Sequence, residues 1–285
     1  MTVLVPVREL NANQVMGAQT SFIDIEWAGR TVRIEHQWIA LERTGPLMIF
    51  LHEGLGSVSA WRDFPKTLCE RLGCRGLVYS RPGYGRSTPR APAERWGPDF
   101  MHRQAHEVLP SLLQALDIDS NRDRPWLFGH SDGASIALLY AARFPRSVRG
   151  LILLAPHIMV EPISLQGIEA ARVAYAQGPL RQALARHHED PDSAFWGWND
   201  AWLSPPFRAW SIEDEISSIQ CPMLAVQGLN DEYGTLEQIR GIARRLPQTE
   251  LLELAACAHA PQRDQPNALI DRVRAFVANC SIPVR

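Results

Sequence analysis

The chain has no C-x-x-C pair. Its five cysteines, Cys69, Cys74, Cys221, Cys257 and Cys280, are scattered, which excludes zinc-ligand spacing and a disulfide framework and leaves reduced, mostly buried thiols. A G-x-G-x-x-G turn is also missing, and with it the usual dinucleotide cradle. No apolar run approaches the roughly 20 residues of a bilayer span. The opening MTVLVPVRELNANQ lacks a basic start followed by an apolar segment, so no secretory leader is read there and the expected location is the cytoplasm. Neither sign of charge dominates: 29 Lys and Arg stand against 31 Asp and Glu, with no long basic run. Nucleic acid and anionic membrane surfaces are therefore not expected partners. Internal repeats and low-complexity tracts are absent as well.

What is present suits an ordinary soluble protein. Over 285 residues, 46% hydrophobic and 21% charged, the chain is long enough for one large α/β domain or one domain carrying an insertion. SFIDIEWAG and TVRIEHQWIA alternate apolar and polar residues around Ala28-Gly29, as an antiparallel hairpin does. The runs LMIFLH, RGLVYS, PWLFGH, RGLILLAP and PMLAVQG are continuously apolar, as strands covered on both faces are. Between them, SAWRDFPKTLCERL places Trp61, Phe64, Leu68 and Leu72 at helical spacing, and FMHRQAHEVLPSLLQALDI does so with Val108, Leu112 and Leu116. Pro110 predicts a kink or a boundary in the latter. ASIALLYAARF supplies a further helix. Strands alternating with helices predict a mostly parallel sheet flanked by helices. The rhythm fails between residues 158 and 219, where IEAARVAYAQGPLRQALARHH is helical and FWGWNDAWLSPPFRAW is an aromatic cluster. A segment of that length is too long for a plain connection, so it is read as an inserted helical subdomain.

One short stretch raises a chemical question. In LFGHSDGAS, Ser131 stands between Gly129 and Gly133, where an apolar run gives way to a helix. A sharp strand-to-helix turn holds a serine hydroxyl in the open, and side chains two positions before and after it would collide with the neighbouring strand and helix. The same turn puts Ser131 at a helix N-terminus, where partial positive charge favours a developing oxyanion.

This G-x-S-x-G turn in its strand-to-helix setting resembles the nucleophile elbow of the α/β-hydrolase superfamily. The resemblance covers nearly the whole chain from about residue 21. It implies a core of about eight strands, made of residues 1–157 and 220–285, with residues 158–219 as a helical cap. It also implies the chain order serine, acid, histidine. PMLAVQG leads into LNDEYG with Asp231 at the acid position, and LLELAACAHAPQRDQP puts His259 before the last helix. Glu161, after the sixth strand, is the alternative acid, and Glu232 is adjacent to Asp231. His259 would act as general base and acid, Asp231 would orient it, and the N–H groups of Gly54 and Asp132 would form the oxyanion hole.

Two departures from the family pattern stand out. Glu53 occupies the usual glycine of the oxyanion loop FLHEGLGS, so its carboxylate either points away, toward Arg81, or tunes specificity. In YSRPGYGRS, Ser80 and Pro82 stand where the family has Asp and Arg. His52 and His130 are expected to organise backbone, and His187-His188 reads as a solvated helix end. His157, Trp198, Trp202 and Glu53 are expected to line the substrate pocket, with part of the aromatic cluster serving as the cap's own core. No cofactor or metal is expected. A serine nucleophile is unlike the aspartate of dehalogenases and epoxide hydrolases, which leaves cleavage of small to medium apolar carboxylic esters, lactones or thioesters as the expected activity. A carbon–carbon bond hydrolase and a catalytically weak ligand-binding member remain open, as does the oligomeric state.

Overall fold

The computed structural model describes residues 20–280; the N-terminal stretch read above for a leader lies outside them. The hairpin forms as expected, from β1 (Ser21–Trp27) and β2 (Arg30–Ile39), with Ala28 and Gly29 both at positive φ in the turn. β3 (Leu47–Leu51) then leads through a tight helical turn at Ser59–Trp61 into α1 (Phe64–Leu72) and β4 (Arg75–Tyr79). The helix thus starts later than the apolar spacing suggested. Arg62, at φ 52°, breaks the chain direction, and Pro65 lies in the new first turn, where its missing N–H does no harm.

α2 (Phe100–Arg103) passes through a wide π turn at Gln104–Val108 into α3 (Leu109–Ala115). Pro110 is the cause on physical grounds, since it cannot donate to the preceding turn and pushes the backbone outward there. α4 (Ser120–Asp123), β5 (Trp126–His130), α5 (Asp132–Arg143) and β6 (Gly150–Leu154) follow. Between β6 and the next strand lie α6 (Pro162–Gln177), α7 (Leu180–Leu184) and α8 (Pro191–Leu203), with short turns after them. β7 (Met223–Gly228), α9 (Glu237–Arg245), β8 (Thr249–Leu254), α10 (Pro261–Asp264) and α11 (Pro266–Cys280) complete the chain.

The eight strands form one sheet in the order β1-β2-β4-β3-β5-β6-β7-β8, antiparallel at β1-β2 and β2-β4 and parallel elsewhere. The continuous apolar runs have a simple cause. Leu47, Ile49, Leu51, Leu127, Leu151 and Leu153 join one apolar cluster, while Met48, Phe50, Trp126, Phe128, Ile152 and Leu154 join the other. With side chains alternating along each strand and both faces covered, every position must be apolar. One cluster packs against α2, α3, α5 and the helices between β6 and β7; the other packs against α1 and α11. The cysteines are all free, four of them buried. Among the described residues no helix is long and apolar enough to cross a membrane.

Candidate active site

Ser131 sits on the bend between β5 and α5 with φ 53° and ψ −122°, a conformation rare for an L-residue. Its N–H is anchored to Leu154 O at 2.8 Å. Both glycines around it are required by space. A Cβ on Gly129 would lie 2.5 Å from Ala134 Cα in α5, and one on Gly133 would strike the carbonyls of Leu51 and His52 at the end of β3.

His259, in the loop after β8, reaches Ser131: its Nε2 lies 2.9 Å from Oγ. Its Nδ1 lies 2.8 Å and 3.0 Å from the two carboxylate oxygens of Asp231, which follows β7. With a carboxylate on Nδ1, the imidazole proton belongs there and Nε2 is free to accept from the serine hydroxyl. Asp231 is itself held, accepting from Tyr233 N at 2.8 Å and Gln227 Nε2 at 3.1 Å. Burial alone would raise its carboxyl pKa, but the bond from His259, that ring's charge and the Tyr233 N–H together hold it below the ordinary range. The structure therefore brings Ser131, His259 and Asp231 together. Glu161 is engaged elsewhere, accepting from Thr235 and Gln238, and Glu232 accepts the His259 backbone N–H at 3.2 Å.

Two tryptophans of α8 meet Gly54 and Asp132, the expected oxyanion donors. The Trp198 indole packs on Gly54 so closely that a Cβ there would collide with Nε1. Trp202, one helical turn on, donates from its indole N–H to Asp132 Oδ1 at 3.2 Å. Burial pushes the Asp132 carboxyl up to about 6, with Arg81 pulling the other way.

His157, in the loop leaving β6, places Nε2 3.4 Å from Ser131 Oγ and lies edge-on to the Trp202 ring at 4.9 Å. Burial, with the neighbouring His259, lowers its pKa to about 3, so it is neutral at ordinary pH. Ser135 fixes its backbone, donating to His157 O and accepting from His157 N.

Glu53 turns away from Ser131, but not to the partner expected. Its carboxylate faces His130 Nδ1 at 3.5 Å and Arg263 at 3.7 Å, whereas Arg81 donates to its backbone O at 2.8 Å. Burial would raise the carboxyl pKa, but the His130 contact and the charges of His52 and Arg263 hold it well below the carboxylate range. Behind it opens a cavity of about 420 Å³ lined by Trp61, Phe64, Arg62, Gln262 and Arg263 among others. His52 and His130 do organise backbone: His52 Nδ1 bonds Glu53 O at 2.7 Å, and His130 Nε2 bonds His259 O at 2.7 Å.

His188 corrects the reading of a solvated helix end. It is buried, accepts from Gly85 N at Nδ1 (2.9 Å) and bonds Leu55 O through Nε2 (3.0 Å). His187 Nδ1 lies 2.9 Å from Ser59 Oγ. Arg81, Gln227 and His188 were not singled out as site residues from sequence, although each lies in a stretch already noted: YSRPGYGRS, PMLAVQG and IEAARVAYAQGPLRQALARHH. Ser80, at the family's Asp position, donates to buried Glu35 on β2 at 2.7 Å, so the carboxylate comes from another strand. Among the described residues no group of three or more His, Cys, Asp or Glu side chains is placed to hold a metal ion.

A mainly parallel eight-stranded sheet, with a serine on a strained strand-to-helix bend and a histidine brought to it by a loop late in the chain, defines the α/β-hydrolase architecture. The model of the alpha/beta hydrolase family matches residues 48–272, and the chain belongs to that family. It is 25% identical to an esterase of Mycobacterium tuberculosis, over 81% of this chain and 82% of that one. It is 22% identical to the 2-hydroxy-6-oxo-6-phenylhexa-2,4-dienoate hydrolase of Comamonas testosteroni, over 76% and 82%. A thermophilic esterase from Thermogutta terrifontis superposes with a TM-score of 0.66 at 19% identity, over 93% and 100% of the two chains. With such relatives the chain is a hydrolase.

Proposed function

We propose that this hydrolase cleaves carboxylic esters, with lactones and thioesters as chemical kin, through an acyl-enzyme on Ser131. The observation that carries the reading is the continuous line Asp231–His259–Ser131, with contacts of 2.8 Å and 2.9 Å. His259 Nε2 takes the Ser131 proton as Oγ attacks the ester carbon, and Asp231 steadies the imidazolium. The carbonyl oxygen gathers negative charge and accepts from the N–H groups of Gly54 and Asp132, neither of which has an acceptor among the described residues. His259 then gives its proton to the leaving alkoxide. Water repeats the sequence on the acyl-enzyme and frees the acid and Ser131.

The segment between β6 and β7 serves as the cap, with Trp198, Trp202 and His157 forming a largely apolar wall over the serine. A fluorophosphonate tests the reading. It should modify one serine per chain, identified as Ser131 by peptide mass, with loss in Ser131→Ala and slower labelling in His259→Ala. A wild-type protein that resists the reagent and cleaves no activated ester would overturn the proposal.

A further inference from the structure

Asp132 brings two polar groups to the bend at Ser131. Its N–H is one of the proposed oxyanion donors, and its carboxyl group is buried, only 1% exposed. One oxygen, Oδ1, accepts from Trp202; the other, Oδ2, has no hydrogen-bond partner among the described residues. No Lys, Arg or His nitrogen of the described residues lies within ion-pair distance of it. Arg81, the cation that acts on it from further off, is held mainly by other groups, although its Nη1 has no hydrogen-bond partner among the described residues. It donates to Glu53 O and to the His52 ring, and its guanidinium lies 4.7 Å from the Tyr84 ring centroid. His157, edge-on to the Trp202 ring, is neutral.

A buried carboxylate with a free lone pair is unfavourable unless something supplies the missing donor. Residue and position together say what that donor is attached to. An oxygen on the side chain of Asp132 lies within a few ångströms of its own N–H, so a group bonded to Oδ2 is within about 6 Å of a carbonyl oxygen held by that N–H. That reach corresponds to one or two carbons from the scissile carbonyl. An ionised carboxylate oxygen with no cation within ion-pair distance favours a charged donor over a neutral one.

We propose that the acyl part of the substrate carries an ammonium group on its first or second carbon, paired with Asp132 Oδ2 while the carbonyl oxygen rests on the Asp132 N–H. This inference rests on the ester-hydrolase reading above and names its substrate class: amino-acyl esters rather than plain apolar ones.

The test compares benzyl esters of alanine, lactate and propanoate at neutral pH, which differ only in ammonium, hydroxyl or hydrogen at the carbon beside the carbonyl. The expected result is a kcat/KM for the alanine ester about a hundredfold above that for propanoate, the scale of one charge-assisted contact in a buried site. Lactate should fall well below alanine. In Asp132→Asn the ratio of alanine to propanoate should approach one, whatever loss the two share, whereas Trp202→Phe should lower both together. A wild-type ratio near one, lactate equal to alanine, or an unchanged ratio in Asp132→Asn would each overturn the proposal. The wild-type ratio alone decides should the variant fail to fold. Titration calorimetry on Ser131→Ala, with and without Asp132→Asn, reads the same preference in binding. Turnover of propanoate without an ammonium preference therefore sinks this inference and leaves the ester reading standing. No turnover of any ester, with alanine still bound more tightly, does the reverse.

Discussion

At the scale of single residues, Ser131 is a point of backbone strain on which the proposed chemistry depends. A non-glycine at φ 53° costs on the order of 1 to 3 kcal/mol, and it persists because both neighbouring glycines let β3, β5 and α5 close around it. Gly133→Ala should therefore cost about 2 to 4 kcal/mol, since the Cβ meets backbone carbonyls that cannot move aside. A lowered urea midpoint with an unchanged slope would record it; a midpoint within error of wild type would contradict it. Two titrations at the same site act in opposite directions with pH. The His157 pKa falls from 6.5 to about 3, so between those values the unfolded chain binds a proton that the folded one refuses, and stability is lost as pH falls through that window. The Asp132 carboxyl rises from 3.8 to about 6, so there the folded state binds the extra proton and gains as pH falls. The His157 shift is the larger. His157→Gln should flatten the acid limb of the stability curve and Asp132→Asn should steepen it, as read from denaturation midpoints across that range.

At the scale of elements, α8 and the residues after the short α7 join the segment between β6 and β7 to Gly54, Leu55, Gly85 and Asp132. Trp198 and Trp202, four residues apart on one face of α8, touch Gly54 and Asp132, while His188 beyond α7 joins Gly85 to Leu55. Removing that imidazole leaves a buried N–H and a carbonyl without partners, so His188→Ala should cost about 2 to 3 kcal/mol. The Gly85 amide should lose its hydrogen-exchange protection first, and full protection at Gly85 in the variant would count against the latch. The strands were legible as elements because burial on both faces forces an unbroken apolar run, and α5 was legible from its own composition. Helix starts were less so. The apolar spacing from Trp61 to Leu72 runs through Arg62, whose positive φ is a backbone event that side-chain periodicity does not register. The π turn before Pro110 could be placed but not described, since proline says only that the regular turn fails.

At the scale of the whole molecule, what was legible of the candidate site is what depends on chain order, and what was not depends on contacts across the sequence. Ser131, Asp231 and His259 each follow a strand, so the sheet topology alone carries them to one edge. Glu53 facing His130 and Arg263, Glu35 standing in for an aspartate, and Trp202 on Asp132 are pairings over tens to more than two hundred residues, and no local pattern encodes them. The same long-range packing bears on how the molecule unfolds. Ile168, Phe195, Trp198, Trp202, Phe207 and Trp210, between β6 and β7, belong to the apolar cluster that also holds Leu127 of β5 and Leu138 of α5. An insertion with its own separate core could open while the sheet stayed folded; one that completes a shared core strips that face of the sheet bare when it leaves. The amides of α8 should thus exchange at the same free energy as those of β5, and near-ultraviolet and far-ultraviolet dichroism should report one coincident transition in urea. An earlier near-ultraviolet transition, or faster exchange confined to α6–α8, would show that these helices open as an independent unit.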